Sequence, residues 1–246
     1  MRDLAALPKA HLHVHLEAAM REATLRQWCA EDGLEVPPLV DYPDFTRFLD
    51  AYGLLIDLLH TPERVERLLD EVIADAAAQG VVALEFASIP EKAVAFGSAE
   101  EALEFQLPVM AEASRRHGVW AGAIVSIDRG AGPEHALEAA RLAARFADRG
   151  VVAVGLVADE RDSPVAAAAE AFAIARDAGL GVVPHAGELG GPEEVLLGHL
   201  QEQATGAALR GLDRPLADQT PAQTRAPGKL SRAVRDGAPG VREQGG

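Results

Sequence analysis

The sequence predicts an α/β fold: a (β/α)8 barrel of the TIM type that is incomplete here, with about five β/α units and an irregular C-terminal tail. Three observations predict it. Short apolar runs recur at a spacing of roughly 30 residues between residues 80 and 200. Helix-length segments separate them, opening on a cap residue or proline and closing on glycine. The runs lack a polar alternate face, so burial on both sides is expected, as for parallel strands covered by helices.

The elements follow in order. Residues 10–16 form the first strand, and two helical stretches, 23–31 and 45–60, come after it. Thr61 and Pro62 open a helix over 62–79, where hydroxyl cap and first-turn proline are both favourable. Gly80 leads into a strand over 81–87. Ser98-Ala-Glu-Glu101 reads as a capping box for a helix that runs to His117 and ends at Gly118. A strand over 119–127 follows, then a helix from Pro133 to Asp148. Gly150 precedes a strand over 151–157. Ser163-Pro164 opens the next helix, Gly179 closes it, residues 180–184 form a strand, and Pro192 begins one more helix. A doubly wound open sheet is the competing fold, but it carries a glycine-rich loop after its first strand. Here Glu17-Ala18-Ala19 stands at that place, which favours the barrel.

Residues 1–200 are assigned to the partial barrel and 201–246 to an irregular or disordered tail. Residues 206–246 contain no Ile, Phe, Tyr or Trp and carry net charge +3, against −18 for the first 205. The whole chain of 246 residues carries −15, which repels nucleic-acid phosphates and anionic membranes, so neither is expected as a partner. Cys29 is the single cysteine; it allows no intrachain disulfide and reads as a buried helix residue, and no Pro-Cys-x-x-Cys zinc motif is present. No basic-then-apolar leader and no apolar run of about 20 residues occurs, so a cytoplasmic protein is expected.

Two segments carry the chemistry. In His11-Leu-His-Val-His-Leu-Glu17, histidines alternate along a strand, so His13 and His15 leave one face and can share one metal ion. Pro184-His-Ala-Gly-Glu188 adds His185 and a carboxylate three residues on. Three neutral nitrogen donors and one acid–base group are the parts of a hydrolytic zinc site. Both segments fall at the C-terminal ends of predicted strands, the face on which barrels build their sites. His60, His117, His135 and His199 read as structural or exposed, and His11 as core or as support for the ligands.

These segments resemble the adenosine deaminase family of the metal-dependent amidohydrolases. The match runs from Leu7-Pro-Lys-Ala-His-Leu-His-Val-His-Leu-Glu17 to His185-Ala-Gly-Glu-Leu-Gly-Gly-Pro-Glu193. The resemblance implies a zinc-dependent hydrolytic deaminase converting adenosine and water to inosine and ammonia. It implies one Zn2+, held by His13, His15 and His185, and Glu188 as the general acid that protonates the purine ring nitrogen. It implies substrate contacts from His15, Glu17, Ala158 and Asp159, with Glu17 where the family receives the ribose hydroxyl. Burial is expected to raise the Glu188 pKa so that it holds its proton.

The chain departs from the family pattern at several places. Ala18 and Ala158 stand where the family has glycine, Gly155 replaces an acidic residue, and His11 occupies a position more often acidic. The Gly-His-Gly and Asp-Asp segments of the family's later strands have no counterpart after Glu188: His199 lies too soon, and Asp213 and Asp218 are single acids in the tail. The sequence therefore reads as a deaminase cut short, or shifted in reading frame, after Glu194. Two functions stand beside each other: a deaminase of adenosine, adenine or a modified nucleoside, and a catalytically inert fragment. An open half-barrel is expected to invite self-association through its strand edges.

Overall fold

The structure, a computed structural model, describes residues 7–161 and 163–203. Five strands, β1 Lys9–His15, β2 Val81–Ser88, β3 Trp120–Asp128, β4 Val151–Val157 and β5 Gly181–Pro184, pair in sequence order, and all are parallel. Among the described residues β1 and β5 are the edges. The sheet curls into a half-barrel, an incomplete (β/α)8 barrel.

Helices cover the outer face. α1 Glu22–Asp32, α2 Phe45–Asp57 and α3 Pro62–Ala78 lie between β1 and β2. Then α4 Ala99–His117, α5 Pro133–Arg145 and α6 Ala169–Asp177 alternate with the strands, and α7 Pro192–Gln203 follows β5. Local chemistry sets the helix starts. Asp44 accepts from the Arg47 N–H at 2.9 Å, Thr61 from Arg64 at 3.3 Å and Ser98 from Glu101 at 3.2 Å. Glu101 closes its box one residue early, accepting from the Gly97 N–H at 3.0 Å. Gly118, at φ 70°, ends α4 in the left-handed conformation.

The outer core is large, with Leu68, Leu69, Ile73, Leu103, Leu107, Phe146 and Phe172 all nearly fully buried between helices and sheet. The inner face holds a small cluster, Ala87, Ile124 and Ala153, flanked by Val152 and Val183. Burial on both faces explains why β2, β3 and β4 show no polar alternation. Leu12 on β1 and Val195, Leu196 and Leu197 on α7 stay exposed. No described helix is long and apolar enough to cross a membrane.

Several expectations change in detail. α2 ends at Asp57 and α5 at Arg145, short of the expected 60 and 148; a 3-10 turn, Ala147–Arg149, carries α5 into Gly150, whose φ is 119°. Pro164 is extended and opens a 3-10 turn, Val165–Ala168, before α6 begins. Residues 201–203 are the end of α7, and the rest of the expected tail lies outside the described residues, with Asp213 and Asp218. The largest change is in β1. Its register against β2 shifts between His11 and Val14, and His13 takes φ 62°. Simple alternation along a regular strand does not hold there: the strand bulges at the histidines.

Candidate metal centre

The bulge places His13 and His15 at the C-terminal end of β1. The Leu16 N–H bonds the Ala87 carbonyl at 3.0 Å, which fixes the strand immediately after His15. Across the curl, the His185 N–H bonds the Leu156 carbonyl at 2.8 Å, so pairing with β4 continues past Pro184. Edge strands β1 and β5 thus bring together residues 170 or more positions apart. His185 Nε2 lies 3.0 Å from His15 Nε2 and 3.1 Å from His13 Nε2. One nitrogen of each ring lies within 4.8 Å of the others. His11 is not in the cluster.

Burial lowers the His13 and His185 pKa values to about 4, reinforced at His13 by His185 and His15 and at His185 by His15 and Arg129. His15 is lowered too, by burial. The three rings are therefore neutral near pH 7, with lone pairs to offer. Tyr52 on α2 orients one of them. Its hydroxyl donates to Glu17 Oε2 at 2.8 Å and lies 3.2 Å from His15 Nδ1. With its proton spent on Glu17, the hydroxyl accepts from Nδ1–H, which leaves the His15 Nε2 lone pair facing the other rings. Neutral donors, convergent nitrogens and a hydrogen-bonded far side are what a zinc or similar divalent ion requires.

Glu188 Oε2 stands 3.4 Å from His185 Nδ1, and its side chain is 41% exposed. Partial burial, with the Glu160 charge beside it, raises its pKa; His15 and Arg129 oppose the rise. Glu17 is buried at 6% exposure, and burial raises its pKa against the pull of a backbone donor and Tyr52.

Ala158 and Asp159 follow β4; neither belongs to the histidine cluster, and the Asp159 charge adds to the rise in the Glu188 pKa. Ala158 takes φ 74°, a conformation suited to glycine. Asp159 accepts from Arg161 Nε at 2.8 Å and from the Arg161 N–H at 2.9 Å, and these bonds hold its carboxyl down at about 2. His60, His117 and His135 each pair with an acid elsewhere, Asp32 at 3.0 Å, Asp70 at 2.8 Å and Glu91 at 2.7 Å. His199 lies on α7.

Three residues of the site were missed in the sequence. Tyr52 continues an aromatic stripe with Phe45 and Phe48 at helical spacing, a pattern that reads as core unless the helix is known to face β1. Arg129 directly follows β3 and Glu160 lies just beyond β4, and that position on the barrel's functional face was the available signal.

A family model described as "Adenosine deaminase" matches residues 8–202, which includes α7. An adenine deaminase of Chelativorans is 34% identical over 217 residues, covering 85% of this chain and 67% of its own length. An aminodeoxyfutalosine deaminase of Acidothermus cellulolyticus is 36% identical over 195 residues, covering 76% and 55%. Among solved structures, a zinc-bound amidohydrolase from Burkholderia ambifaria superposes with a TM-score of 0.65 at 27% identity, over 79% of this chain and 57% of that one. The fold and the paired histidine segments define an amidohydrolase with a candidate metal site. More narrowly, the chain belongs to the adenosine deaminase family, and it spans about two thirds of the length of the curated relatives first matched.

Proposed function

We propose that the site serves zinc-dependent hydrolytic deamination of an aminopurine. The observation that carries this reading is the convergence of three histidine nitrogens within 4.8 Å, with a carboxyl, its pKa raised by burial, 3.4 Å from one of the rings. His13, His15 and His185 would hold the ion. When bound, zinc supplies hydroxide near neutral pH by lowering the pKa of its water to about 7. Glu188 holds a proton and gives it to the ring nitrogen beside the amino-bearing carbon, so that negative charge does not build up on the ring as water adds there. Tyr52 and Glu17 keep the His15 ring in the tautomer that offers Nε2 inward.

Within the aminopurines, free adenine is favoured over adenosine. The carboxylate that would receive a ribose hydroxyl, Glu17, is 6% exposed and already accepts from Tyr52. The relatives named as adenine deaminases support the same reading, and the zinc-bound structural relative supports the choice of metal.

Turnover of adenine and adenosine by the purified 246-residue chain with added zinc, beside a Glu188→Gln control, tests it. Ammonia release that prefers adenine and drops by about two to four orders of magnitude in the control is expected. Absence of turnover on every aminopurine, with zinc bound, would refute it.

A further inference from the structure

Two buried charges beside the site hold none of the candidate metal ligands' nitrogens. Arg129 and Glu160 have side chains that are 0% exposed, with Arg129 Nη2 3.6 Å from Glu160 Oε1. Glu160 Oε1 accepts from the Gly187 N–H at 2.7 Å. Its Oε2 accepts from the Leu189 N–H at 2.6 Å and the Gly190 N–H at 2.7 Å. Arg129 donates from Nη1 to the Ser163 carbonyl at 2.7 Å and from Nη2 to the His185 carbonyl.

A buried ion pair is a poor device for stability alone, because desolvating both charges cancels most of their attraction. What it adds here is geometry. The amides on either side of residue 188 are both bound to the same carboxylate, so the chain must turn around that group with Glu188 at the turn. The turn has little room to relax: Gly187 has φ 82°, and a Cβ there would lie 2.1 Å from Val195 Cγ2 on α7. Arg129 ties the same segment to β3 through the His185 carbonyl.

We infer that Glu160 and Arg129 are positioning residues: a latch in which the Glu160 carboxylate fixes the turn presenting Glu188, and Arg129 joins that turn to His185. The acid and the third candidate metal ligand then keep one relative geometry. Misplacing an acid by about 1 Å costs roughly a hundredfold in rate, so such a latch acts on chemistry more than on substrate binding. This inference rests on the role proposed for Glu188.

Amide hydrogen exchange on the full chain, wild type beside Glu160→Gln, tests it. In the wild type the Gly187, Leu189 and Gly190 amides are expected to exchange at least about a hundredfold more slowly than open-loop amides. In Glu160→Gln they are expected to speed up at least about tenfold while β2, β3 and β4 keep their protection. With the aminopurine that the wild type turns over, kcat is expected to fall about a hundredfold and KM to stay within about twofold. Open-loop exchange in the wild type overturns the latch, and needs no variant to be seen. So does unchanged exchange in a folded Glu160→Gln chain, or an unchanged kcat. A wild type with protected amides and no turnover refutes the deaminase reading while supporting the latch.

Discussion

His15 Nε2 and His185 Nε2 lie 3.0 Å apart, although 170 residues separate them in the chain. Two neutral imidazole nitrogens that close must either share a proton or share a cation. The rings gain nothing from burial alone, which lowers both pKa values. The contact is half of a candidate coordination sphere, assembled by the two edge strands of the sheet.

Removal of one donor should expose this. Zinc at a hundred times its Kd is expected to stabilise the wild type by about 2.7 kcal/mol, read as a rise in Tm. His185→Ala is expected to lose that rise, while His60→Ala, whose ring bonds Asp32 on the surface, keeps it. Equal zinc stabilisation of both variants would place the ion elsewhere.

Tyr52 is the second point of leverage. Tyr52→Phe deletes the hydroxyl that serves both Glu17 and His15. A buried carboxylate then loses its side-chain donor, at a cost of about 1–3 kcal/mol in urea unfolding. The His15 tautomer also loses its anchor, so zinc affinity by chelator competition is expected to fall about 10- to 100-fold. If only stability changes, the hydroxyl serves Glu17 and does not orient the ligand.

Much of this was legible in the sequence, for local reasons. Thr61, Ser98 and Gly118 act within one turn of their own helix, so caps and ends could be read directly. Double-sided burial left its mark in the mostly apolar runs of β2, β3 and β4, which show no regular polar alternation. The β1 bulge was not legible, because register is set by β2 and not by the strand itself. Nor was the convergence of Arg129, Glu160 and the 187–190 turn. Each is an ordinary charge or glycine until three strand ends are placed side by side.

Glu85 on β2 makes a prediction about pH. It is 5% exposed, has no hydrogen-bond or ion-pair partner among the described residues, and burial raises its pKa from 4.5 to about 7. Below pH 4.5 folded and unfolded chains both hold the proton. Between 4.5 and 7 the unfolded chain releases it and the folded chain retains it, so stability falls as pH rises through that window and levels off above it. Glu85→Gln cannot ionise. Its stability relative to wild type is therefore expected to improve by on the order of 2–3 kcal/mol between pH 4.5 and 7.5, the histidine contributions cancelling in the difference. Urea unfolding of both chains across that range checks the sign; a constant difference would mean that Glu85 ionises normally in the fold.

Ala158 closes β4 in a left-handed conformation, φ 74°, where an L-residue with a Cβ crowds its own carbonyl. That costs about 1–2 kcal/mol, and glycine would not incur it. Glycine loses more entropy on folding, about 0.5–1 kcal/mol, so the gains do not all survive. Ala158→Gly is expected to stabilise the chain by about 0.5–1 kcal/mol. The same change at exposed Ala30 within α1, where the backbone is helical, should cost about 1 kcal/mol. Opposite signs from one substitution at two positions would show that the strain is local to the end of β4. If both variants lose stability equally, Ala158 is held there without penalty and the site stores no strain at that residue.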